Sequence, residues 1–158
     1  GLTRAAGVAQ LLVVLAAVLI IQPVLATVMG RSPRLTTATV AVIAGLLWML
    51  ALCAGDAISA AVGAYPRTIT LVLLPAFLGA GLLQLVTGVL HHLLPILTGA
   101  RPNTAERTGY ARLLLINLGG LLTLLGATAA GLIMMGIGLA ANVFAVGRAI
   151  YLQKRLEN

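Results

Sequence analysis

GYARLLLINLGGLLTLLGATAAGLIMMGIGLAANVFAVGRAIYL, Gly109 to Leu152, decides the architecture. It is apolar for about 44 residues, and at 1.5 Å per residue one helix of that length would run roughly 66 Å, about twice the hydrocarbon thickness of a bilayer. The chain must therefore turn back within it. Small residues cluster at Gly126-Ala127-Thr128-Ala129-Ala130-Gly131, which predicts one helix over about 110–125 and another over about 130–152.

Working outward, three further apolar runs are long enough to cross a bilayer, which takes about 20 residues. They span about 8–29, with Pro23 in the last turns; 37–59, holding Trp48, Cys53 and Asp56; and 68–98. The links are turn-like. Gly30 to Arg34 reads GRSPR, Gly63 to Arg67 reads GAYPR with an interfacial tyrosine, and Ala100 to Arg112 is the most polar segment, a loop or short interfacial helix. The first run is too long, and lacks the small-residue end, for a removable signal peptide. A chain opening on Gly1 without methionine predicts a longer precursor or a piece of a larger protein.

Composition agrees with this pattern. Hydrophobic residues make up 61% of the 158 positions and charged residues 8%, against about 25% charged in soluble domains. The single cysteine excludes a disulfide framework and a thiolate metal site. The net charge of +7 comes from cations dispersed between apolar runs, not gathered on one face with aromatics, so no nucleic-acid partner is expected. Their distribution tests the helix count. With five helices, Arg4 and Arg67 fall on one side, while Arg31, Arg34, Arg101, Arg107, Arg112, Arg148, Lys154 and Arg155 fall on the other. An unbroken last helix would leave five on each side and no bias. The positive-inside rule then selects an all-α, polytopic transmembrane bundle of five helices, amino terminus outside and carboxyl terminus cytoplasmic.

The third run carries the only two histidines, in LLQLVTGVLHHLLPILTG, Leu82 to Gly99. Gly81, Gln84, Gly88, His91 with His92, and Pro95 recur there at helical spacing, a stripe that in a membrane faces other helices. His91 and His92 are candidate ligands for heme iron or copper, with polar packing as the plainer reading. Adjacent helical residues point about 100° apart, so at most one serves a given metal. Asp56, the only acid inside an apolar run, is a candidate proton or ion site, a local cap or a partner for Arg67. Asn117, Gly120 and Thr123, then Gly131, Gly138, Asn142 and Ala145, read as packing faces and polar interior. Walker, dinucleotide, zincin and nucleophile-elbow motifs are all lacking, and three acids in total rule out paired-carboxylate catalysis.

Leu71 to Gly99, followed by a polar loop and RLLLINLGGLLTLLG from Arg112 to Gly126, resembles the membrane region that precedes the copper domains of some bacterial multicopper oxidases and copper-type nitrite reductases. The positions that carry the resemblance are Gln84, Gly88, Leu93, Leu94, Pro95 and Gly99, then Asn117, Gly119, Leu121, Leu122, Leu124 and Gly126. More distantly it resembles helix pairs of the NnrS family and of the catalytic subunit of heme-copper oxidases. The sequence has no histidine set for two hemes and a copper and no cupredoxin ligands. The resemblance therefore implies a module, not a catalyst.

The expectation is a single transmembrane domain over 1–158 in a bacterial cytoplasmic (inner) membrane, belonging to a respiratory or denitrification-type redox protein. It would anchor a catalytic domain or subunit, with heme b or quinol at His91 or His92. Its partners would be membrane lipid and other membrane helices or a copper redox domain. The rivals are a small-solute or metal transporter segment, which should show internal repeats, and a structural subunit without ligand.

Overall fold

Helix accounts for nearly every described residue of the computed structural model, and no strand occurs among them; those residues are 2–31, 36–63, 66–98 and 108–156. In chain order the elements are α1 (Leu2–Arg31), α2 (Thr37–Ala61), α3 (Pro66–Ala76), a π-helical stretch (Phe77–Leu83), α4 (Gln84–Thr98), α5 (Gly109–Leu124) and α6 (Thr128–Leu156). Four segments are long and apolar enough to cross a membrane: Leu2–Pro23, Thr37–Ala61, Leu71–Leu93 and Thr128–Arg148. The protein is thus a multi-pass membrane protein. α5 is also apolar but shorter.

Several helices outrun the apolar stretches that announce them. α1 begins at Leu2 and α6 continues to Leu156, because an intrahelical hydrogen-bond ladder does not stop where hydrocarbon gives way to headgroups. The expected break between the last two helices falls at Gly126, whose φ of +89° is a left-handed conformation that only glycine adopts freely. The amide of Ala127 closes this turn on the Leu122 carbonyl at 2.9 Å. At the other cap, Thr36 Oγ1 accepts from the Thr39 amide at 3.2 Å and starts α2.

The third rod is continuous from Pro66 to Thr98 but changes register. Two residues after Pro75, which offers no amide to the ladder, the bonding shifts to the π pattern, and the Gln84 amide reaches back to the Gly79 carbonyl. The wider turn presents Gly79, Ala80 and Gly81 to the interior. There, Ala80 joins Ile116 and Met135 in the core, with Trp48 and Leu139 packed beside them.

Packing is close because small residues line the crossings. A Cβ on Gly45 would lie 2.9 Å from the Gly81 carbonyl oxygen and from the Leu85 amide nitrogen, so α2 meets the third rod nearly backbone to backbone. α5 and α6 form a hairpin of the same kind at Gly119 and Gly131. α1 packs chiefly on α2 and leaves Leu12, Val13, Leu19 and Ile20 more than half exposed, a surface suited to lipid.

Candidate functional site

The α2, α4, α5 and α6 helices converge at the end of the bundle where α2 and α5 begin and α4 finishes. A half-open cleft lies there, lined by Thr37, Thr87, Gly88, His91, Arg112 and Asn142 among others. It encloses about 230 Å³ including its open mouth, and its core is about 10 Å³, room for roughly one water.

Arg112 organises the cleft. The polar link from Ala100 was expected to run through Arg112 as a loop or an interfacial helix. The helix expected from about residue 110 starts at Gly109 and takes Arg112, the last residue of that link, into its first turn, where only 8% of the residue is exposed. Its Nε donates to Asn142 Oδ1 at 2.8 Å, and its Nη1 donates to Thr108 Oγ1 at 3.2 Å. Asn142 is itself buried, 5% exposed, in the middle of α6. Gly109 allows this approach, since a Cβ there would fall 2.7 Å from Thr37 Cγ2.

The two histidines part company. His91 turns inward, and its Nδ1 lies 3.0 Å from the Thr87 carbonyl oxygen. A carbonyl only accepts, so Nδ1 carries the proton and the lone pair of neutral imidazole sits on Nε2. That orientation suits a metal ligand. Nε2 is a buried atom beside a water-sized space. His92, one position on, is exposed on the outer face of α4. Among the described residues, no three of histidine, cysteine, aspartate and glutamate come together as a metal site.

The remaining candidates disperse through the bundle. Gln84 is fully buried one turn before Gly88, with its Nε2 3.5 Å from the Ala41 carbonyl and its Oε1 without a hydrogen-bond partner among the described residues. Gly88 faces Ala41 and Val42. Asn117 accepts from Trp48 Nε1 at 2.6 Å through Oδ1 and donates to the Leu113 carbonyl at 2.7 Å. Asp56 sits near the far end of the bundle, where its Oδ2 accepts from Gln10 Nε2 at 3.3 Å. The same amide also reaches the Cys53 carbonyl at 3.4 Å. The side chains of Arg67 and Pro95, and residues 32–35, 64–65 and 99–107, lie outside the described residues.

Sequence reasoning missed Arg112, Trp48 and Gln10 as members of polar contacts. A signal existed for Arg112, which lies only three residues beyond the first glycine of an apolar run. For the Trp48–Asn117 pair, 69 residues apart, no local signal exists. The chain matches no protein-family model, and no curated protein or solved structure is significantly similar to it.

Proposed function

We propose that this chain is the membrane module of a bacterial respiratory or denitrification-type redox protein and that it serves to anchor a catalytic domain or subunit. In this reading it crosses the inner membrane five times, amino terminus outside and carboxyl terminus cytoplasmic, with α5 as the short fifth span. The observation that carries it is the close packing of the described helices. Crossings at Gly45 and Gly119 bring backbones into contact, and the one polar cleft described has a core of about 10 Å³. Such a bundle holds its own helices together, as an anchor must. The two-against-eight split of cations supports the orientation.

The test pairs topology with spectroscopy. Single-cysteine probes placed at Gly63 and Gly126 should label from outside the cell, and one at Ser32 only after the membrane is opened. Protein purified from heme-replete cells should give a flat reduced-minus-oxidised visible spectrum. A b-type band abolished by His91→Ala would replace the anchoring role with electron transfer. The transporter rival rests on Asp56, which already accepts a hydrogen bond from Gln10. Solute uptake into vesicles that Asp56→Asn abolishes would favour that rival.

A further inference from the structure

We propose that the bilayer meets this protein with a stepped surface at the face where α2 and α5 end. Hydrocarbon reaches farther along α1, α2 and the start of the third rod than beside the α5–α6 turn, where the leaflet is thinned. The step follows from where the helices stop. α2 and α5 run in the same direction from a common level, since Gly109 packs on Thr37 and Trp48 bonds to Asn117. Counting on from Trp48 and Asn117, α2 reaches Asp56 and α5 reaches Leu125 after about 12 Å each, at 1.5 Å per residue. α5 then turns at Gly126, whereas α2 runs on to Ala61 and turns at Gly63, about 10 Å farther out.

The two levels make opposite demands on solvent. At the α5–α6 turn the amides of Thr128, Ala129 and Ala130 open a helix and have no acceptor within it, and all three residues are exposed. Hydrocarbon does not tolerate open backbone groups, so water or headgroups must reach Gly126. In the band beyond that level, Val8, Ile58, Val62, Leu71 and Val72 are each more than half exposed. Packing of Gly7 on Ala57 and Ala61, and of Gly81 on Met49, sets α1 and the third rod at the matching height. Such an apolar band suits acyl chains. Its polar limit comes at Gly63, where an added Cβ would lie 3.2 Å from Arg4 Nε.

The lengths agree with a step. From Gly109 to Gly126 α5 rises about 25 Å, short of the roughly 30 Å hydrocarbon core. From Thr37 to Gly63 α2 rises about 39 Å, close to the roughly 40–45 Å that includes the headgroup regions. A short span is accommodated by thinning of the adjacent lipid. The partner that fits the α5 flank, where Leu114, Leu118 and Leu121 are exposed, is therefore a leaflet of short acyl chains.

The inference rests on α5 crossing the membrane, as proposed above, and the test separates the two. Ile58→Cys, Leu71→Cys, Leu114→Cys and Ala127→Cys, each in the full chain carrying Cys53→Ala, would be spin-labelled and reconstituted in phosphatidylcholine with eighteen-carbon chains. Depth is read as relaxation by oxygen, which concentrates in hydrocarbon, against relaxation by a water-soluble nickel chelate. The label at Ala127 should favour the chelate severalfold. Those at Ile58 and Leu71 should favour oxygen severalfold, as the mid-span label at Leu114 does. Ile58 lies no deeper than Ala127, so a flat surface cannot give that order. If all three end positions favour the chelate, the surface is flat at Gly126 and the apolar band is open to a protein partner. If all three favour oxygen, it is flat at Gly63. Either result overturns the step and leaves the five-span reading standing. An impermeant thiol reagent that reaches Gly63→Cys and Ala127→Cys from opposite sides overturns both. If Cys53→Ala does not fold, Ile58→Trp and Ala127→Trp in the otherwise native chain, quenched by lipids brominated near to or far from the headgroup, measure the same order against the Trp48 baseline.

Discussion

Arg112 and Asn142, thirty residues apart in sequence, meet at 2.8 Å across the α5–α6 hairpin, the guanidinium Nε donating to the amide oxygen. The contact joins two packed helices through a buried charge, and the charge cannot easily return to solvent. Replacing Asn142 by leucine therefore removes an acceptor and leaves the cation in place. We expect a stability loss of about 1.5–3 kcal/mol, the range for hydrogen bonds to charged groups. Asn142→Asp, which keeps the acceptor and adds a countercharge, should recover most of it. Thermal unfolding in detergent, followed by circular dichroism, measures both.

A second cross-bundle bond gives its own optical readout. Trp48 is the only tryptophan in the chain, and its Nε1 donates to Asn117 Oδ1 at 2.6 Å. Interhelical hydrogen bonds in membranes couple by about 0.6 kcal/mol on average and up to about 1.7. A double-mutant cycle on Trp48→Phe and Asn117→Leu should fall within that range, towards its upper end given the short distance. Asn117→Leu alone should shift the tryptophan emission to shorter wavelength, because the indole loses its polar partner. An unchanged spectrum together with zero coupling would show that the pair is mere proximity.

Gln84 invites the opposite outcome. Although it is fully buried, its amide nitrogen makes only a 3.5 Å contact with the Ala41 carbonyl, and its Oε1 has no hydrogen-bond partner among the described residues. A side chain so poorly paired has little bonding to lose, and its desolvation is already a cost. Gln84→Met, close in volume, should change the melting free energy by less than about 1 kcal/mol and could raise it. A loss well beyond that figure would show that a water or ligand completes the amide in the folded protein.

These contrasts also mark what the sequence could tell. The turn at Gly126 was legible because 44 apolar residues exceed any bilayer and the glycine stands where φ must be positive. The inward face of the third rod was legible as a recurrence of Gly81, Gln84, Gly88 and His91, because helical period and small size are local properties. The π-helical stretch at Phe77–Leu83 was not legible. A one-residue change of register leaves no compositional mark, and the proline two residues earlier reads equally well as a kink. Nor was the cleft visible as a unit. Its polar lining comes from four helices, each giving one or two residues, and Arg112 looked like one more orienting cation until α5 was seen to enclose it.

Glycines that look alike in the sequence should behave oppositely. A Cβ on Gly119 would lie 2.6 Å from Met135 Cγ, 2.7 Å from the Gly131 carbonyl oxygen and 2.8 Å from the Met135 amide nitrogen, whereas nothing lies within 4 Å of one on Gly136. Two of the three atoms facing Gly119 are backbone, so a rotamer change cannot make room and α6 would have to move away from α5. Gly119→Ala should cost about 1–3 kcal/mol, the usual range for overpacking. Gly136→Ala adds helix propensity without a clash and should stabilise by about 0.5–1 kcal/mol. Melting of the two variants under identical detergent conditions makes the comparison, and the difference in sign matters more than either value. If both substitutions stabilise, the α5–α6 hairpin is looser than its backbone contact implies. The same separation of the hairpin would also pull Asn142 from Arg112, so Gly119→Ala should weaken that hydrogen bond while Gly136→Ala leaves it untouched.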